Sequence, residues 1–106
     1  MFGLIERDLH YINIALQEFD EIKYAVIFGS RAMGNYKKGS DIDLAIKGKG
    51  ITSETLYKLS DLLNEEYPLP YFFDLIHYES ISNENLKAHI DEEGKVLYQA
   101  NSVREE

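Results

Sequence analysis

The sequence predicts an α/β (α+β) domain in which a small sheet is layered with helices. Three observations predict it. Apolar side chains recur every three or four residues in three segments, and short β-branched or alternating runs occupy four others. Their order along the chain is helix, strand, strand, helix, strand, helix, strand, which suits a sheet covered by helices. A length of 106 residues fits one domain, expected over residues 1–100 and followed by a polar, frayed tail over 101–106.

The first helix is expected within residues 4–19, where Leu4, Ile5, Leu9, Ile12, Leu16 and Phe19 hold the helical spacing. Residues 24–28, Tyr-Ala-Val-Ile-Phe, are uninterrupted apolar and rich in β-formers, so they predict a buried strand. Gly29-Ser30 ends it, and Gly34, Asn35 and Gly39 punctuate the loop that follows. Residues 41–46 alternate strictly, so Ile42, Leu44 and Ile46 share one face of a strand and Asp41 and Asp43 the other. Thr52 or Ser53 can cap a helix of about 54–65, which Pro68 and Pro70 stop. Residues 71–77 read as a third strand with Asp74 as a lone charge among apolar neighbours, costly to bury unless it is paired or metal-bound. Ser82 or Asn83 can cap a helix of about 84–92 with Gly94 just past its end, and residues 96–98 form a last short strand.

Composition narrows the function. The chain has no cysteine, which excludes a disulfide framework, a cysteine zinc site, an iron–sulfur cluster and a thiol nucleophile. No apolar run is long enough for a bilayer, and Glu6, Arg7 and Asp8 interrupt any leader-like start, so the expectation is a soluble cytoplasmic protein that needs no membrane. A net charge of -8 argues against direct binding of nucleic acid through its backbone. Any polyanion must be met locally, through a metal.

The informative stretch is residues 29–43, GSRAMGNYKKGSDID. Two ionised carboxylates about 4 Å apart repel by roughly 4 kcal/mol at an effective dielectric of 20. Holding Asp41 and Asp43 on one strand edge therefore calls for a cation between them or a proton on one. Without metal, at least one carboxylate is expected to titrate above its usual value. Oxygen-only donors suit Mg²⁺. Gly29 allows close backbone approach, the turn can present N–H groups to an anion, and Ser30 adds a hydroxyl and opens a helical turn. An anion cradle facing a carboxylate-held metal is the layout that phosphoryl or nucleotidyl transfer requires.

Gly-Ser, ten residues, then Asp-x-Asp resembles the signature of nucleotidyltransferases with the DNA polymerase β palm fold. The short form GSRAxG…SDIDLAI most resembles their minimal nucleotidyltransferases, of the type paired with HEPN-domain proteins in toxin–antitoxin systems. The resemblance spans nearly the whole chain and implies a small mixed sheet flanked by helices. It implies that Asp41 and Asp43 bind two Mg²⁺ and the triphosphate, and that Asp74 joins one metal and helps activate the acceptor hydroxyl. All three thus carry the catalytic and metal roles, with Gly29, Ser30 and Arg31 as nucleotide-binding residues. It further implies transfer of AMP from ATP to a tyrosine of a HEPN-domain toxin encoded nearby, with this chain as the antitoxin.

Several residues keep two readings. Arg31 can reach a phosphate or can bridge and hold the turn. Lys37 and Lys38 can steer ATP or be solvated, and Tyr36 can stack on a base or be partly buried. His10, His77 and His89 lack metal-ligand spacing and read as surface or satisfied core residues. Two other functions stand beside the first. One is a non-catalytic antitoxin that occludes a basic RNase with its acidic surface. The other is transfer to a small-molecule acceptor such as an aminoglycoside, disfavoured by the absence of a further helical domain to close over that acceptor. A nucleotide or metal sensor is a weaker third.

Overall fold

The central strand of the sheet is the predicted apolar run. In the computed structural model, which describes residues 1–101, β1 spans Tyr24–Phe28 and pairs antiparallel with β2, Ile42–Lys47. The tail expected from 101 onward lies, past residue 101, outside the described residues. β3, Phe73–His77, runs parallel to β2, and β4, Lys95–Gln99, runs antiparallel to β1 on its other side. The order β3-β2-β1-β4 gives a mixed four-stranded sheet with helices on both faces. The parallel step from β2 to β3 needs a crossover, which a helix supplies.

Alternation sorts the side chains as the sequence predicts. Ala25, Ile27, Ile42, Leu44, Ile46 and Phe73 form one core with Ile12 and Leu16 of α1, Glu6–Gln17, and Leu59 of α3, Ser53–Asp61. The opposite face carries Val26, Ala45 and Ile76, covered by Leu86 and Ile90 of α4, Glu84–Glu93. Thr52 caps α3 in a reciprocal pair with Thr55, and Asn83 caps α4 by accepting the Leu86 N–H at 3.0 Å. Among the described residues no helix is long and apolar enough to cross a membrane.

A short helix, α2, Ser30–Met33, follows Gly29 directly, where a helical turn opened by Ser30 is expected. Two details differ from the sequence reading. The expected helix of 54–65 changes pitch after Asp61 into a π-helical turn, Leu62–Glu66. That turn places Asn64 beside β3, where its amide accepts the Phe73 N–H at 2.8 Å and donates to the Phe73 carbonyl at 3.1 Å, covering this part of an otherwise open sheet edge. Finally, Gly94 does end α4, but with φ -67 and ψ 151 rather than in the left-handed region. Its glycine is needed for space. A Cβ there would press on the Ile90 carbonyl and stand 2.6 Å from Val26 Cγ1. Gly94→Ala is therefore expected to loosen the contact of α4 with β1 and lower stability by about 1–3 kcal/mol. Thermal unfolding followed by circular dichroism checks this.

Candidate active site

The site lies on the sheet face that α4 covers, at the end where β1 leaves the sheet. Phe28, the last residue of β1, pairs with Asp43 of β2, and Asp43 pairs in turn with Asp74 of β3. Neighbouring strands lie about 4.8 Å apart, so the register brings two carboxylates side by side on one face. Asp41 stands one step before β2 on the same side by alternation and is exposed. The three predicted carboxylates therefore share one end of this face.

Gly29 follows Phe28 with φ 76 and ψ -154, a conformation L side chains rarely adopt. A Cβ at Gly29 would also stand 2.5 Å from Asp43 Oδ2 and displace the carboxylate. The carboxylate is thus packed against the backbone of the turn. Ser30 opens α2 directly beyond it, half-buried. The Gly29 amide itself is engaged, donating to His89 Nε2 at 3.3 Å.

The electrostatic burden is distributed differently from the sequence expectation. Asp74 is exposed on an edge strand, so it is not the costly buried charge that its apolar neighbours suggested. Asp43, between its two neighbours and half-buried, carries that penalty. Burial raises its pKa first, and the charges of Asp74 and Asp41 raise it further. One carboxylate does titrate high, with desolvation rather than repulsion as the larger cause.

Of the two readings of Arg31, the geometry matches the structural one. Arg31 is 3% exposed. Its Nε and Nη2 donate to the Ser40 carbonyl at 3.1 and 2.9 Å, and its Nη1 to the Phe2 carbonyl at 3.0 Å. Its guanidinium sits 4.9 Å from the ring centres of both Tyr36 and Tyr71. It ties the start of the motif loop to its end, just before Asp41, and is not brought together with the carboxylates as a nucleotide-binding residue. Tyr36 stacks on Arg31, and Lys37 and Lys38 remain exposed. The carboxylate of Asp8 is buried beneath this cluster and faces Tyr71, whose pKa is raised by burial first and then by Asp8.

His89 is the residue that sequence reasoning missed. It lacks metal-ligand spacing and reads as a surface or satisfied core residue, yet it reaches the motif turn. A signal existed: His89 lies three residues after Leu86 and beside Ile90, on the face of α4 turned to the sheet.

The donors present are all hard oxygens, which fit Mg²⁺. Among the described residues no three His, Cys, Asp or Glu side chains close around a single ion. Asp74 also borders an open groove of about 560 Å³ between α3 and β3, lined by Tyr57, Ser60 and Phe72 among others.

A family model described as polymerase beta, nucleotidyltransferase matches residues 11–103. No curated protein matches the sequence. Among solved structures, a chain of a toxin–antitoxin with AMP-PNP is 22% identical with a TM-score of 0.71, the match covering 89% of this chain and 75% of that one. A chain of the toxin–antitoxin MntA-HepT is 19% identical with a TM-score of 0.67, covering 92% and 75%. A protein of Sulfolobus solfataricus assigned as a nucleotidyltransferase is 20% identical with a TM-score of 0.51, covering 88% and 81%. At such identities the likeness is one of fold.

The raised Asp43 pKa has a consequence for stability. The folded state holds the Asp43 proton more tightly than the unfolded chain, whose value is near 3.8. Stability linked to this group is therefore full below that value and falls as pH rises through the folded pKa. In metal-free buffer at pH 7, Asp43→Asn is expected to raise the melting temperature by up to a few degrees, the gain being screened because the group is half-exposed. The gain should vanish in melting curves taken at pH values well below 3.8.

Proposed function

The chain belongs to the polymerase beta nucleotidyltransferase family, whose model matches residues 11–103, and we propose that it transfers AMP from ATP to a hydroxyl, read as that of a tyrosine, on a HEPN-domain toxin, for which it is the cytoplasmic antitoxin. The observation that carries this reading is that Asp43 packs against the Gly29–Ser30 turn and pairs with Asp74 on one sheet face, with Asp41 one step away on the same side. The fold shared with MntA-HepT chains supports a partner of that class, and AMP-PNP in a related toxin–antitoxin supports an adenine nucleotide.

Asp41, Asp43 and Asp74 would hold Mg²⁺, two ions in this reading. Bound there, the metal neutralises triphosphate charge and lowers the pKa of the attacking hydroxyl. The chain's own residues do the rest. Ser30 donates its hydroxyl to a phosphate oxygen, while Gly29 contributes its conformation and closeness rather than its N–H, which His89 already takes. Asp74, exposed at the sheet edge, is open to an acceptor arriving from another chain. The acceptor oxygen bonds to the α-phosphorus, the bridge to the β-phosphate breaks and pyrophosphate leaves. The hydroxyl proton passes to the Asp74 carboxylate. Arg31 keeps the loop closed so that Asp41 and Asp43 stay in register with the turn.

The net charge of -8 favours one competing reading, neutralisation of a basic partner by occlusion alone. The two separate in one assay. With labelled ATP, Mg²⁺ and the co-encoded HEPN-domain protein, label is expected on the partner, and Asp41→Ala or Asp43→Ala should cut transfer by about a hundredfold or more. Neutralisation that survives both substitutions, with no label on the partner, would establish occlusion instead.

A further inference from the structure

α4 packs on the site's face of the sheet, and one of its side chains anchors the motif turn. The Gly29 N–H donates to His89 Nε2 at 3.3 Å, bridging sixty residues of sequence. Phe28, one residue earlier, meets the His89 ring edge-on at 6.2 Å between centres. An N–H can only donate, so Nε2 carries no proton and the ring's proton sits on Nδ1. The conformation of Gly29 is sparsely populated and persists where its flanking peptides are fixed. On one side the Gly29 carbonyl accepts the N–H groups of Ala32 and Met33 at 3.2 Å each. On the other, His89 holds the peptide joining Phe28 to Gly29.

We propose that His89 is a positioning residue for nucleotide binding: its neutral, Nδ1-protonated ring fixes the Phe28–Gly29 peptide and so holds Ser30 in the orientation that meets the triphosphate. The inference rests on the functional reading above, since a turn that binds no nucleotide needs no such anchor. It also explains why a histidine outside any metal-ligand spacing sits at the motif turn. The ring serves as an acceptor for backbone, which a Lys or Arg side chain cannot do and a carboxylate could do only by adding a negative charge to the site.

The test compares the full chain with His89→Gln, whose Oε1 stands near the position of Nε2, and with His89→Asn and His89→Leu, which place no acceptor there. Affinity for the α,β-methylene analogue of ATP in Mg²⁺ is measured by calorimetry. His89→Gln is expected to bind within about threefold of the unaltered chain, and the other two about 5- to 10-fold more weakly, the loss of one neutral hydrogen bond. Long-range proton–nitrogen NMR of the unaltered chain, without nucleotide, should find the His89 proton on Nδ1. The Gly29 amide resonance should move in His89→Leu and hold in His89→Gln. If His89→Leu fails to fold, Gln against Asn carries the comparison, and if both weak variants fail, the tautomer decides. A proton on Nε2, or equal affinity in all folded chains, overturns this inference alone. An unaltered chain without affinity for the analogue overturns it together with the functional reading.

Discussion

One contact governs the arrangement: the Asp43 carboxylate packed against the α-carbon of Gly29, where a side chain would displace it. It follows from the antiparallel pairing of Phe28 with Asp43, which aims the carboxylate at the first residue past the strand. Because β1 is central in the sheet, that pairing is fixed by the whole core behind it, where Ile27, Ile42 and Leu44 are fully buried. A slip of one residue would turn Asp43 into this core and Leu44 out of it. The same apolar alternation that folds the sheet therefore sets the register of the chemistry.

Around that contact the molecule divides its labour. The face of Ile12, Leu16 and Leu59 is a sealed core. The face of Val26 and Ala45 has a smaller apolar cluster under α4, and the carboxylates occupy it beyond that cluster. Arg31 works at a distance from the chemistry. Buried between two tyrosines, with its donors directed to backbone carbonyls, it fastens the loop whose ends carry Ser30 and Asp41. A buried guanidinium without a full complement of acceptors would be costly, and the Ser40 and Phe2 carbonyls meet that need.

Much of this was legible in the sequence, for identifiable reasons. Tyr24–Phe28 reads as a strand because its five residues are apolar and β-forming, and Asp41 and Asp43 fall on one side because alternation has a period of two. Asp74 was legible as a candidate site residue, but its environment was not: a strand's own sequence does not say whether it lies at an edge, and the edge position leaves Asp74 exposed and shifts the desolvation to Asp43. Arg31 remained divided between two readings because its acceptors, the carbonyls of Phe2 and Ser40, have no side-chain signature. The π-helical turn was invisible for a similar reason, since it is tied to the Asn64 contacts with backbone of a strand not yet placed.

The members of the site also differ in how far apart along the chain they lie. Gly29, Ser30, Asp41 and Asp43 belong to one hairpin, closed by the segment 29–41 alone, whereas Asp74 arrives through the α3 crossover and His89 from sixty residues beyond Gly29. Local opening of α4 or of the edge strand would therefore disarm the site while leaving the hairpin intact. Competence to react then reports on completion of the fold: a chain that has formed only its central hairpin displays the motif but lacks both the outer carboxylate and the anchor of its turn.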